Sequence, residues 1–146
     1  MCLEAINQCD ELAFSFPTDH AKQKDIADGF KEKSEAELDW CVGVIDGMLI
    51  WIYCPSEAEC ETLGVGQKKF LCYRKGRFGL IFLQAICDHE LCFLDVCIRY
   101  RGATSDLLAF EASKIKASLE KEGFLMDRLC VFGDNAYFNT RYMATP

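Results

Sequence analysis

What this chain lacks narrows it first. Its ten cysteines contain no C-x-x-C pair, and it has only two histidines, His20 and His89. The spacings of a zinc ribbon, a zinc finger or a dithiol redox motif are therefore missing. Cys87, Cys92 and Cys97 fall in β-type runs, where a thiol serves as a small core residue. Met1-Cys2-Leu3-Glu4 has neither a basic start nor a following apolar stretch, so no secretory leader is expected. The longest apolar runs, Met48 to Pro55 and Leu80 to Leu83, fall far short of a bilayer span. No internal repeat or low-complexity tract is visible. The expectation is a reducing compartment, no secretion and no membrane partner.

Positive charge is also scarce. The net charge is −7, and it is unevenly placed. Residues 1–40 carry ten acids against four lysines, whereas residues 41–146 carry thirteen acids against twelve Lys and Arg. The acidic arm argues against a self-sufficient nucleic-acid binder, while the near-neutral remainder leaves room for a local basic patch. That patch is Lys68, Lys69, Arg74, Lys75 and Arg77, read either as a solvated loop or as a DNA-backbone contact. Trp51 and Tyr53 nearby are expected in the core rather than stacked on bases.

With 146 residues, 51% of them hydrophobic and 27% charged, one soluble domain with a real core is expected. Residues 1–40 read as a polar helical arm, with Ile26, Ala27 and Phe30 at helical spacing between Asp19 and Lys33. This arm resembles the tail of a missing upstream region, and 41–146 reads as the domain proper. Cys41 to Tyr53 reads as a strand. Ser56 to Lys69 reads as a loop or short helix. Gly76 to Cys87 and Leu91 to Tyr100 read as an antiparallel pair around the turn Asp88-His89-Glu90. Thr104 and Ser105 cap a helix whose stripe is Leu108, Ala112, Ile115 and Leu119, stopped by Gly123. Leu129 to Phe132 is a buried strand. The order is β-β-β-α-β, and a right-handed crossover lays the fourth strand parallel to the first.

Two acids interrupt the strand-type runs. Asp46 sits in Val44-Ile45-Asp46-Gly47, and Asp134 follows Val131-Phe132-Gly133. Burying a lone carboxylate is unfavourable, and two held close repel, so a shared cation is one resolution. Oxygen-only ligands favour Mg²⁺ or Mn²⁺, ions that can serve phosphodiester chemistry. Asp-Gly and Gly-Asp-Asn are also ordinary turn sequences.

Several blocks in sequence order then carry a resemblance. Gly43-Val44-Ile45-Asp46-Gly47 is followed by Leu49-Ile50-Trp51-Ile52 and Pro55. Next come Arg74-Lys75-Gly76, Gln84-Ala85-Ile86-Cys87-Asp88 and Phe93-Leu94-Asp95-Val96. Gly102-Ala103-Thr104-Ser105-Asp106 follows, with Ala109, Phe110 and Ser113. The last block is Gly133-Asp134-Asn135-Ala136-Tyr137 with Tyr142-Met143-Ala144-Thr145-Pro146. From about Phe16 onward the chain resembles the Harbinger-type DDE transposase and nuclease family. The resemblance implies a ribonuclease-H-like mixed sheet and a divalent metal, Mg²⁺ or Mn²⁺, held by Asp46 and Asp134 as catalytic acids. It implies Asp106 as an accessory acid, with helix capping as the plainer reading. DNA is the implied partner of the intact parent protein, aided by a separate DNA-binding region, in the nucleus if functional and otherwise in the cytoplasm.

Departures from the family pattern accompany it. Met48 replaces a common threonine, and Ser105 a common histidine. The family's third acid, a glutamate on a later helix, has no counterpart between Asn135 and Pro146. The expectation is a fragment with impaired cleavage. A non-catalytic remnant or domesticated interaction module is the alternative. Asp46-Gly47-Met48-Leu49 also echoes haloacid-dehalogenase phosphatases, but Val44 stands where their nucleophilic aspartate is needed.

Overall fold

The computed structural model describes residues 14–35 and 38–146, and all of their side chains except those of 80–82. The helical expectation for residues 1–13 lies outside the described residues. Helix α1 (His20–Lys33) begins where the Asp19 carboxylate accepts a hydrogen bond from the Ala21 N–H. Lys31 and Lys33 lie in its last turn, where cations suit the helix dipole. Its Ile26 and Ala27, with Phe16 just before it, are buried in the same core as Val42, Ile45 and Val131.

Strand β1 (Cys41–Trp51) is the axis of the fold. Its burial alternates: Ile45 and Leu49 are covered, while Val44, Asp46 and Met48 are exposed. That period of two is what one face packed and one face open requires. A capped helix α2 (Glu57–Thr62), a 3₁₀ turn (Gln67–Phe70) and the short strand β2 (Leu71–Cys72) lead into β3 (Arg77–Cys87) and β4 (Phe93–Tyr100). Helices α3 (Asp106–Glu111) and α4 (Lys114–Leu119) precede β5 (Cys130–Phe132) and β6 (Met143–Ala144).

The six strands form one mixed sheet. Both β2 and β4 pair antiparallel with β3, and β3 pairs antiparallel with β1. On the other side of β1, β5 and then β6 run parallel to it. The expected parallel relation of the first and last long-range strands is therefore present. No helix among the described residues is long and apolar enough to cross a membrane.

Several local expectations change, Cys92 among them, which is exposed and lies just before β4. The single helix after Ser105 is two short ones, because Ser113 caps a new start by accepting from the Lys116 N–H. Leu108 and Ala112 are consequently exposed, and Ala109 and Phe110 fill the core instead. Gly123 does not stop the helix, which ends at Leu119; Gly123 sits at φ +74° in a later turn. Leu91 is not in β4: its φ is +66°, where the Asp88 carboxylate draws the turn tight through the Glu90 and Cys92 N–H groups. Finally, Trp51 and Tyr53 do not pack inside; both are exposed.

Candidate functional site

The pairing of β1 with β5 decides where the two strand acids go. Val44 is the register partner of Phe132. Asp46 and Asp134 each lie two residues beyond that pair, Asp46 within β1 and Asp134 in the loop that follows β5. Gly133, between Phe132 and Asp134, faces the covered side, since a Cβ there would meet Tyr137 and Ile45. Asp46, like Val44 and Met48, belongs to the open side. Each carboxylate has one oxygen held locally. The Gly47 N–H donates to Asp46 Oδ1 at 2.7 Å, and the Ala136 N–H to Asp134 Oδ1 at 2.9 Å. Both acids are solvent-exposed.

Asp106 is built differently. It opens α3, which Ser105 caps through the Leu108 N–H. Its side chain is buried on the covered side, against β3. Gln84, the register partner of Gly47, donates from Nε2 to the Asp106 carbonyl at 2.9 Å and to the Tyr137 hydroxyl at 3.0 Å. Phe110 meets Tyr137 edge-on at 5.7 Å, a contact worth about 1 kcal/mol beyond simple burial. Two buried acceptors in this group have no donor among the described residues, Gln84 Oε1 and Asp106 Oδ1. A proton on the Asp106 carboxyl, or a donor from a ligand, is what such a pair of oxygens needs.

Burial pushes the Asp106 carboxyl above its ordinary range; Arg74 opposes this, and the charges of Asp134 and Asp46 add to it. Burial likewise raises the Tyr137 phenol, with Asp106, Asp134 and Asp46 contributing. The Asp106 carboxyl thus feels the charges of both other acids. The three do not converge: among the described residues no group of three His, Cys, Asp or Glu is placed to hold one metal ion. Asp46 and Asp134 are exposed and Asp106 is buried.

The Asp106 shift has a testable sign. A carboxyl whose folded pKa is raised favours folding while protonated. That contribution is complete below the unfolded value, about 3.9, and is lost as pH rises through the higher folded value. Asp106→Asn removes this loss. Melting temperature measured against pH should therefore fall less steeply for the variant across that window, and the variant should match or exceed the native chain at neutral pH. Parallel curves would show that Asp106 stays charged.

Beside Asp106 lies an open cavity of about 450 Å³, lined by Gly47, Arg74, Lys75, Thr104, Asp106 and Ala136 among others. Gly102 fixes its rim, donating its N–H to the Gly79 carbonyl at 3.0 Å. An added Cβ at Gly102 would stand 2.5 Å from the Phe70 carbonyl oxygen, so only glycine fits there. Of the five expected DNA-contacting cations, Arg74 and Lys75 reach this cavity. Lys68 and Lys69 lie on the 3₁₀ turn, and Arg77 opens β3. Among the described residues none of the five joins an ion pair.

Sequence reasoning missed Gln84 and Tyr137 as organisers of the Asp106 side. A glutamine in an otherwise apolar strand, Leu80 to Ile86, was the available indication. No family description, curated protein or solved structure matches this chain.

Proposed function

We propose that this chain is a ribonuclease-H-like domain of transposon origin, of the DDE endonuclease or transposase kind. In this reading it takes Mg²⁺ or Mn²⁺ on Asp46 and Asp134 for cleavage or strand transfer at a DNA phosphodiester, in the nucleus. One observation carries the reading: β1 runs parallel to β5 with Val44 opposite Phe132, and the exposed Asp46 and Asp134 each follow that pair by two residues. The sheet supports it too, with β4, β3 and β1 antiparallel in turn and β1, β5 and β6 parallel.

The donor set suits a hard cation, since both residues offer only oxygen and each keeps one oxygen outside its local turn. When bound, the ion would activate a water or hydroxyl and stabilise the leaving oxygen. The chain's own residues supply the rest. The Gly47 and Ala136 amides fix the carboxylates. Arg74 and Lys75 offer positive charge to a phosphate at the cavity beside Asp106. Gln84 holds Asp106 and Tyr137 in place beneath.

Two protein carboxylates are few for this chemistry, so slow cleavage is expected. Purified chain should take up Mn²⁺ weakly, read by electron paramagnetic resonance, and nick supercoiled plasmid slowly. Asp46→Asn should lose both. Metal uptake indifferent to Asp46→Asn and Asp134→Asn would overturn the assignment.

A second reading is a non-catalytic interaction module. The absence of a three-acid cluster among the described residues favours it, as do exposed Val44, Met48, Ile50 and Ile98. A stable partner captured equally in EDTA and in Mn²⁺, by a chain that takes up no metal, would favour this reading.

A further inference from the structure

We propose that the end of β1 and the β2–β3 turn form a stacking platform for unpaired nucleotides, Trp51 and Tyr53 taking bases and Lys75 and Arg77 the adjoining phosphates. The platform begins with a break in the sheet. The β1–β3 register shifts between Ile50 and Trp51, and such irregularities re-aim a side chain. Backbone pairing then resumes, with the Ile52 N–H donating to the Phe78 carbonyl at 3.0 Å. The segment that carries the two rings is therefore held, not loose.

Its surface is unusual for a chain of this composition. Trp51 is 44% exposed, Tyr53 98% and the neighbouring Tyr73 69%. Lys75 Nζ lies 5.8 Å and Arg77 Cζ 5.2 Å from the Trp51 ring centroid. A cation over an aromatic face is attracted to it, which orders both groups without using up the positive charge. No ion pair among the described residues neutralises either cation. In a protein of net charge −7, two unneutralised cations ordered on an exposed indole mark a place for an anion with a flat, apolar neighbour.

Unpaired nucleic acid has that chemistry. Every base offers a π-face, and each base–aromatic stack is worth about 1–3 kcal/mol whatever the sequence. Duplex bases are already stacked on one another and would leave the rings unused. An acidic peptide would satisfy the cations and leave Trp51 and Tyr53 without a flat partner. The platform uses neither Asp46 nor Asp134 and shares only Lys75 with the metal reading.

The test is anisotropy of a labelled oligothymidylate and of a duplex of equal length, with the full chain in EDTA. The single strand should bind at least tenfold more tightly than the duplex and quench tryptophan fluorescence. Tyr53→Ala, which removes a ring with almost no contacts, and Trp51→Ala should each weaken binding several-fold. Arg77→Gln should flatten the dependence on salt. Equal or tighter duplex binding, no binding, unaltered affinity in Tyr53→Ala together with Trp51→Ala, or equal competition by polyglutamate would each overturn the proposal. Because no ion is present, failed nicking leaves this result untouched. Failed oligonucleotide binding, in turn, leaves metal uptake untouched.

Discussion

Gln23→Leu is expected to lower the unfolding free energy by about 3–5 kcal/mol, a large share of what a domain of this size possesses. Gln23 is fully buried in α1 and uses its whole amide. Its Nε2 donates to the Pro17 carbonyl at 2.9 Å and to the Phe124 carbonyl at 2.8 Å, and its Oε1 accepts from the Met126 N–H at 2.8 Å. Leucine fills the space but leaves three backbone groups unpaired, each costing about 1–3 kcal/mol when dry. His20 adds a third tie between α1 and residues 123–126, its Nε2 lying 2.9 Å from the Gly123 carbonyl. These bonds clamp α1 to the segment that feeds β5, and β5 carries Asp134. Urea denaturation monitored by circular dichroism measures the loss. Lys22→Ala, on the exposed side of the same helix, is the control and should change the midpoint little. Equal midpoints for the two variants would mean that water replaces the clamp.

The same residue shows where the sequence was readable and where it was not. Ile26, Ala27 and Phe30 at helical spacing found α1, because apolar periodicity survives without knowledge of the partner. Gln23 has no periodic signature; its value lies largely in a carbonyl and an N–H about a hundred positions away. The long strands were legible for the same reason as α1: β-branched runs around Asp46 and Gln84 are bounded by turns. Strands β2 and β6, two residues each, were not, because they exist only through pairing with β3 and β5. The break at Ser113 was hidden by the regular spacing of Leu108, Ala112, Ile115 and Leu119. A serine cap can outweigh such a stripe when Phe110 finds a better place against Tyr137.

At the site, the sequence pointed to the acids but not to their grouping. Asp46 and Asp134 were readable as interruptions of apolar runs, and parallel pairing of their strands followed from the helical crossover. Asp106 was placed with them by resemblance. In the fold it is buried while they are exposed, and the three form no metal-holding group among the described residues. Strand alternation contains that information: Gly47 and Gln84 face one side, and Asp46 and Ala85 the other. It becomes usable only once the register is known, since a slip of one residue would exchange the two sides. Trp51 was misjudged for a related reason, because a run of apolar residues gives no warning of a register shift within it.

Mn²⁺ should raise the melting temperature of the native chain and leave Asp46→Asn and Asp134→Asn unmoved. Asparagine is the informative replacement at both positions. It retains the Oδ1 that accepts from Gly47 or Ala136, so the local turns persist while one negative charge goes. If the two carboxylates share one ion they repel in its absence, and removing one charge is expected to stabilise each variant by about 0.2–1 kcal/mol. With metal at ten times its dissociation constant, the native chain gains about 1.4 kcal/mol by mass action, since an ion that binds only the folded state pulls the equilibrium towards it. For a domain of this length that gain corresponds to a rise of roughly 3–6 °C. The order of melting temperatures should therefore invert: the Asn variants lead in EDTA, and the native chain leads in saturating Mn²⁺. A purely structural role for the two aspartates predicts no inversion. A shared ion requires it, and an equal rise in all three proteins would place the metal elsewhere on the chain.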